Sequence, residues 1–318
     1  MKPEAAHRAE ASVSLVLSVF AWSLSPVFIR WLSDAYDPYT MSFLRYFWAT
    51  ALLVPVSLAW FRRELFEALR ASRALLGIAA VNLAMQTMWQ VAGAVAHPTV
   101  VQLISRLSIV FVILLSYLAF REERAVIRSA FFLAGVALSF VGVAGVLMPE
   151  PRLSLLPRMD LISLLLLGVA FLGAVYNVWS KHAVMKLHPF AMFTVVAAYT
   201  TLGAAAVAWG FGSKGGFFTA DARTTGILVV SGLFSIALAH PSYNHAQKYL
   251  GAAFCSVALH LSPFVTHLFA MALWPEEPLS AAQWLGGLLL IAGVLLVVRA
   301  RVRFARGIQP PPLSGAAG

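Results

Sequence analysis

Cysteine and charge are both scarce in this sequence. Cys255 is the single cysteine in 318 residues, which excludes an intrachain disulfide and any zinc site built on several cysteines. Charged residues make up 11% of the chain, whereas soluble domains carry about 25%. Hydrophobic residues make up 60%, which is more than a soluble fold of this length can bury. The composition therefore predicts an integral membrane protein.

The strict polar–apolar alternation of membrane strands is also missing, which argues against a β-barrel. The chain instead contains apolar runs close to the roughly 20 residues with which a helix crosses the hydrocarbon core. The predicted fold class is an all-α integral membrane protein with ten transmembrane helices. The spans are predicted at 12–33, 38–60, 74–95, 98–120, 129–148, 160–181, 189–210, 225–247, 252–274 and 280–299.

Lysine and arginine are unevenly distributed between the two sides of this bundle. With the N-terminus in the cytoplasm, sixteen of the 23 lie in tails and loops on that side and five lie in the opposite loops. The positive-inside rule then places both termini in the cytoplasm, and the predicted localisation is the cell inner membrane. Topology thus accounts for the net charge of +10, and no nucleic-acid partner is expected. The remaining two basic residues, Arg45 and Arg106, fall inside spans.

The two halves of the chain repeat each other weakly. The stretch GVALSFVGV at 135–143 shares the pattern G-x-x-L-x-x-x-G-V with GGLLLIAGV at 286–294, 151 residues later. At the same separation, DPY at 37–39 and HPF at 188–190 open the second and seventh spans. Paired glutamates also follow the fourth and ninth spans, at Glu122-Glu123 and Glu276-Glu277.

Each half contains five predicted spans, and an odd number inserts the second half upside down relative to the first. Inverted repeats of this kind are typical of transporters whose binding site lies near the bilayer midplane. The predicted units are a first five-helix repeat at 1–150, an inverted second repeat at 151–307 and a disordered tail at 308–318.

Several motifs resemble the EamA-type transporters of the drug/metabolite transporter superfamily. The aromatic opening helix FAWSLSP at 20–26 is similar to that of the family, and Pro38 is followed seven residues later by Arg45-Tyr46. The strongest match runs from Tyr243-x-x-Ala246 through Pro263-Phe264 and Glu277 to the 286–294 motif. The resemblance implies ten helices in two inverted repeats, a central cavity and alternating access, for substrates that include amino acids. His240-Pro241 inside the eighth span and a longer loop after Glu123 depart from the pattern.

Polar residues recur at helical spacing within the spans, so each set shares one helix face. Because polar groups in lipid are costly, these faces should point into protein or water. They predict a cavity between the repeats, although interhelical hydrogen bonding without a cavity is the alternative. The sets are Trp22, Ser25, Pro26 and Ile29; Asn82, Gln86, Gln90 and Gly93; Gln102, Ser105, Arg106 and Ile109; Gly173, Tyr176, Asn177 and Ser180; His240, Tyr243, Asn244 and Gln247; and Ser256, His260, Pro263 and His267.

The chemistry of these faces favours an anionic substrate. No Asp or Glu lies in the middle of any span, while arginine offers a planar fork that matches a carboxylate. Arg106 is expected to contact substrate, whereas Arg45 either contacts it or bonds carbonyls or Asp37. The predicted substrate-binding residues are Trp22, Arg45, Gln86, Trp89, Gln90, Arg106, Tyr176, Asn177, Tyr199, His240, Tyr243, Asn244 and His260.

An amino acid or a related carboxylate is the leading substrate class. Other anionic metabolites are the next alternative, and neutral or cationic drugs held in an aromatic cage are the third. The membrane histidines could carry protons, and a metal at His260 and His267 is a weaker alternative. No metal, other cofactor or catalytic residue is expected, since G-x-S-x-G and H-E-x-x-H are absent. A scaffold without transport, and both monomer and homodimer, remain open; the expected partners are a small metabolite and membrane lipid.

Overall fold

The computed structural model describes residues 3–95, 108–147, 161–213, 221–262, 265–266, 268–269 and 281–305. Within these ranges the chain is helical and contains no strand. The helices in chain order are α1 (Pro3–Leu32), α2 (Pro38–Trp60), α3 (Arg62–Arg70), α4 (Ser72–Val95), α5 (Ser108–Ala119), α6 (Arg121–Ile127), α7 (Ala130–Leu147), α8 (Leu161–Val184), α9 (Pro189–Phe211), α10 (Ala222–Gly232), α11 (Ala239–Leu250), α12 (Ala252–Ala258) and α13 (Ala281–Ala305).

Length and hydropathy identify the helices able to cross a membrane. Two shorter apolar helices, Ser108–Ala119 and Ala130–Gly142, occupy the predicted fourth and fifth spans. The ninth predicted span is described only in part, with α12 at its start, and the predicted tail at 308–318 lies outside the described residues. In the described part of the chain, 7 helices are long and apolar enough to span: His7–Ile29, Pro38–Trp60, Ser72–Ala92, Leu164–Val184, Pro189–Phe211, Ala222–Leu250 and Trp284–Phe304.

Two short helices occupy stretches that the span prediction left as loops. Helix α3 alternates arginine and glutamate with Leu65 and Ala68, which are its buried residues. Helix α6 follows α5 after Phe120 and carries the buried Glu123. Both are too short and too charged to span, so hydropathy alone could not reveal them.

Helices α7 and α13 pack against each other through small residues. A Cβ atom on Gly135 would lie 2.7 Å from the Gly293 carbonyl oxygen, and one on Gly142 would lie 2.7 Å from that of Gly286. Glycine is required here because the two backbones approach closely. Gly135 and Gly142 are the repeat partners of Gly286 and Gly293, so the contact is crosswise and reciprocal. A two-fold relation between equivalent helices produces this pattern.

Helices α2 and α9 form a second pair of equivalent positions. The Thr50 hydroxyl lies 2.8 Å from that of Thr201, its repeat partner 151 residues later. Ser57 lies 2.7 Å from Thr194 on one side of this contact, and Asp37 accepts from Ser213 on the other. The contacts therefore run in opposite directions along the chain, and the two equivalent helices are antiparallel.

A π-helical turn at Leu233–Leu238 joins α10 to α11. It immediately precedes His240-Pro241, where proline supplies no backbone N–H and an ordinary helix would lose a hydrogen bond. Helices accommodate such a defect by widening locally, and these turns are common at functional sites. The predicted eighth span thus continues past its proline, from Ala222 to Leu250.

Candidate functional site

A cavity of about 220 Å³ lies in the middle of the bundle. Helices α1, α2, α4, α5 and α8 contribute to its wall, together with the π-helical turn, His240 and residues that follow α12. Most of the lining is apolar or uncharged. The lining residues are Trp22, Ser25, Pro26, Ile29, Ser42, Arg45, Tyr46, Met85, Gln86, Trp89, Gln90, Ser108, Val169, Gly173, Tyr176, Asn177, Ser235, Ile236, His240, Leu259 and Ser262.

Arg45 supplies the positive charge of this described lining. It is 5% exposed, and its Nη2 atom donates to Ser25 Oγ at 2.8 Å. Its Nε atom has no hydrogen-bond partner, and no carboxylate pairs with it among the described residues. A buried guanidinium normally requires a counter-charge because desolvation is expensive. The cavity therefore presents an uncompensated cation to whatever enters it.

Backbone packing fixes the position of this arginine. A Cβ atom on Gly232 would lie 2.5 Å from the Arg45 carbonyl oxygen, so α10 touches the α2 backbone at this level. Tyr46, the next residue, accepts from Asn82 Nδ2 at 2.8 Å, and the same amide donates to Thr200 at 3.2 Å. Arginine and tyrosine are thus held by different neighbours although they are adjacent in sequence.

An aromatic group forms another wall. Trp22 Nε1 donates to the carbonyl oxygen of Ser235, in the π-helical turn, at 2.9 Å. The His240 ring stands at 4.9 Å from the Trp22 ring, nearly perpendicular to it, and lies flat against Phe193 at 4.6 Å. Tyr176 Oη lies 3.1 Å from His240 Nδ1. The polar edges of these rings are therefore used to orient them.

Most of the predicted binding residues converge on this cavity, although their roles as ligands stay predictions. Arg106 lies outside the described residues. Tyr243 packs behind Trp22 at 4.9 Å and its hydroxyl lies 3.2 Å from Ser256. Tyr199 packs beside the buried core around α9, while Asn244 and His260 are buried away from the lining. The cavity includes Trp22, Arg45, Gln86, Trp89, Gln90, Tyr176, Asn177 and His240.

Sequence reasoning left out the other lining residues of α2. Ser42 and Tyr46 line the cavity beside Arg45, at helical spacings of three and one residues from it. The periodicity at 42, 45 and 46 places these residues around one side of the helix, and this signal was available in the sequence. Because this set contains a small serine and a single arginine, it was not recognised as a polar helix face.

A second cavity, of about 430 Å³, lies beside the first at the α1–α2 loop. Ile29 and Gln90 line both cavities, so the two cavities are neighbours. Asp37 lines the second cavity and caps α2 through bonds to Tyr39 and Thr40. Partial burial raises the pKa of Asp37, but hydrogen bonds from Thr40 and Ser213 outweigh it and hold the pKa below its ordinary 3.8.

The opposite end of the bundle contains a buried ion pair. Glu123 of α6 accepts from Lys181 of α8, and their side chains are 4% and 3% exposed. The same carboxylate accepts from the backbone N–H groups of Ala252 at 2.9 Å and Ala253 at 3.1 Å. Gly251 precedes them with φ of 91°, and a Cβ there would lie 2.9 Å from Glu123 Oε1. We call Glu123, Lys181 and 251–253 the clasp, because it joins the first half of the chain to the second.

Comparison with known proteins adds the family context. The model of the EamA-like transporter family matches residues 11–148 and, a second time, 160–299. A solved crystal structure has a TM-score of 0.78 over 93% of this chain and 99% of its own, at 15% sequence identity. At that identity the likeness concerns the fold alone. The chain matches none of the curated protein sequences.

Proposed function

Because the chain belongs to the EamA-like transporter family, we propose that it moves a small carboxylate-bearing metabolite, most simply an amino acid, across the cell inner membrane. EamA-like proteins are transporters, and the apolar helices make this chain an integral membrane protein. The substrate class and the mechanism are our inference from the cavity.

The observation that carries this proposal is the uncompensated charge of Arg45. A carboxylate entering the cavity would neutralise the guanidinium and bond to its free Nε atom. Arginine recognises carboxylates through paired N–H donors, and such charge-assisted bonds are roughly twice as strong as neutral ones. Trp22 and Trp89 would then hold the apolar body of the substrate, and the amides of Gln86, Gln90 and Asn177 are within the same lining.

The same lining argues against the alternative of an organic cation. No Asp or Glu is among the described lining residues, so a cation would meet Arg45 without a compensating carboxylate. The aromatic rings could still bind a quaternary amine, but repulsion by Arg45 opposes it. The size of the cavity also matters, because drug-sized ligands occupy pockets of about 300–1,000 Å³. A small metabolite is the better fit.

We propose an alternating-access mechanism between two inverted repeats, at 1–150 and 151–307, with both termini in the cytoplasm. The antiparallel packing of α2 on α9 supports inversion, since these helices hold equivalent positions in the two halves. Charge bias supports the orientation. In this orientation the second cavity lies toward the outer end of the bundle and the clasp toward the cytoplasmic end.

Substrate counterflow in proteoliposomes tests the proposal. The purified protein is first screened by thermal shift against amino acids and organic acids, and stabilising compounds are then used as labelled substrates. We expect a substrate that carries a carboxylate to be exchanged. The analogue in which a neutral carboxamide replaces that carboxylate should be exchanged much less. If no candidate solute exchanges, or if the amide exchanges as fast as the acid, the proposal is wrong.

The variant Arg45→Gln tests whether Arg45 binds the carboxylate in the same counterflow experiment. Bonds to charged groups contribute about 1.5–3 kcal/mol, so flux at low substrate concentration should fall by at least about tenfold. Arg45→Lys should recover only part of it, because an ammonium lacks the planar fork. Arg63→Gln, at an exposed position paired with Glu67, is the control and should retain wild-type flux.

A further inference from the structure

Arginines converge on two aromatic rings at the clasp end of the bundle. The guanidinium carbons of Arg299 and Arg303 lie 5.3 and 4.6 Å from the ring centre of Phe131. Those of Arg124 and Arg128 lie 5.5 and 5.1 Å from Tyr117. Both rings pack against the same buried cluster of α5, α6, α7 and α13. The positive-inside rule explains the side of these charges but not their convergence.

One of these arginines has a structural task. Arg124 Nε donates to the Tyr117 carbonyl oxygen at 2.8 Å, and its Nη2 donates to that of Leu118 at 3.2 Å. These carbonyls belong to the last turn of α5 and lack partners within the helix. Arg124 therefore caps α5, and its charge is partly used there.

The other three arginines differ from Arg124 in that none of their side chains caps a helix in the described part of the chain. Arg128 donates to the Tyr117 hydroxyl, and Arg299 and Arg303 stand over Phe131. Among the residues whose side chains are described, none of the three forms an ion pair. Guanidinium groups that meet no carboxylate among the described side chains are complementary to a phosphodiester, whose negative charge is delocalised over two oxygen atoms.

The surface next to these charges is apolar and exposed. On α13, Leu288 and Leu295 are 62% and 61% exposed, and Arg299 follows on the same face at helical spacing. The face therefore changes from apolar to basic along one helix, as the boundary between acyl chains and headgroups requires. Exposed leucines at 118 and 133 extend the apolar surface onto α5 and α7.

We propose that Arg299, Arg303 and Phe131 form a binding site for an anionic phospholipid headgroup. Basic sites between transmembrane helices on the cytoplasmic side bind acidic headgroups in this manner. The site joins α7 of the first repeat to α13 of the second, so bound lipid would also stabilise the packing of the two halves.

Thermal unfolding of the full chain in uncharged detergent tests this site. Phosphatidylglycerol should raise the unfolding midpoint, while phosphatidylcholine with the same acyl chains should raise it much less. In the double variant Arg299→Gln/Arg303→Gln, the phosphatidylglycerol concentration that gives half of the maximal midpoint shift should increase at least tenfold. Arg223→Gln is the matched control, because Arg223 also lies over an aromatic ring, Trp31 at 5.3 Å, at the other end of the bundle.

Two further measurements distinguish binding of a lipid from binding of a free anion and test lipid selectivity directly. Inorganic phosphate and glycerol 3-phosphate should have no effect; a shift as large as that of the lipid would assign the site to a free anion and overturn the proposal. Native mass spectrometry of the wild type does not depend on the variant folding. It should show phosphatidylglycerol retained in preference to phosphatidylcholine. Equal retention, or equal responses of the double variant and Arg223→Gln, would also overturn it.

Discussion

The wall of the central cavity depends on buried polar side chains that support one another. Tyr46 lines the cavity, and Asn82 holds its hydroxyl from behind while also bonding Thr200. Asn82 itself is fully buried and does not line the cavity. It is therefore a positioning residue for the wall next to Arg45.

Replacement of Asn82 should affect binding more than insertion. In Asn82→Leu the Tyr46 hydroxyl loses the bond from Asn82. Hydrogen bonds between membrane helices contribute about 0.6 kcal/mol on average and at most about 1.7. We expect a KM increase of roughly 3- to 18-fold in the counterflow assay, at matched protein content in the vesicles. Thr200→Val removes only the second bond and should leave KM nearly unchanged. Equal effects of the two variants would show that Asn82 does not act through Tyr46.

Helix α10 packs closely against the backbone of α2 at Gly232. Gly232 lies against the Arg45 carbonyl, at the end of α10 where the π-helical turn begins. The same helix contains Gly226, around which a Cβ atom would meet nothing within 4 Å. One helix therefore offers a tightly packed glycine and an open one as a matched pair.

Gly232→Ala should destabilise the protein and displace Arg45. The added methyl group would stand 2.5 Å from a backbone oxygen, and overpacking of this kind costs about 1–3 kcal/mol. We expect a lower unfolding midpoint and weaker substrate binding in a thermal-shift titration. Gly226→Ala should match the wild type in both measurements. A Gly232→Ala protein as stable as Gly226→Ala would mean that α10 can move away without cost.

The two halves of the molecule are joined at both ends and at the centre. Asp37 bonds Ser213 at one end, Thr50 meets Thr201 in the middle, and the clasp closes the other end. The clasp differs from the other contacts because it buries two full charges. Removing one partner of such a pair leaves the other charge without compensation.

Neutralising one member of the clasp should be strongly destabilising. Glu123→Gln leaves the Lys181 ammonium buried without its carboxylate, at a cost of about 3–5 kcal/mol. The double variant Glu123→Gln/Lys181→Met removes both charges and should unfold at a higher temperature than Glu123→Gln. Glu67→Gln breaks the exposed Arg63 pair and should shift the midpoint little.

A measurement of access would connect this clasp to transport. If the clasp keeps its own end of the bundle closed, a cysteine probe introduced at the cavity wall should become more accessible from that side in the double variant. An accessibility pattern unchanged from the wild type would limit the clasp to stability alone.

Composition and periodicity were sufficient to predict a helical membrane protein and to predict that the chain contains two repeats. The family model independently matches two stretches, and the glycines found at 151-residue spacing do meet between α7 and α13. Helical spacing also identified many of the side chains that line the cavity. These features depend on local sequence, because lipid forces backbone hydrogen bonds to be satisfied within each helix.

The rotation of each helix about its own axis, which decides the face that points to the cavity, could not be predicted from the sequence in the same way. Tyr243 and Asn244 share a helix with His240, yet only His240 reaches the lining, because Trp22 packs over Tyr243. The π-helical turn before Pro241 changes the register of that helix, and no periodicity rule predicts where it falls. That no carboxylate among the described residues pairs with Arg45 likewise depends on which side chains from distant spans meet it.

Hydropathy thus determines that a segment enters the membrane, since that depends on its own residues alone. The cavity, the clasp and the arginine cluster each combine side chains from both halves of the chain. Their existence depends on the angle and depth at which whole helices pack, and that packing free energy is shared among many contacts rather than stored in any one motif.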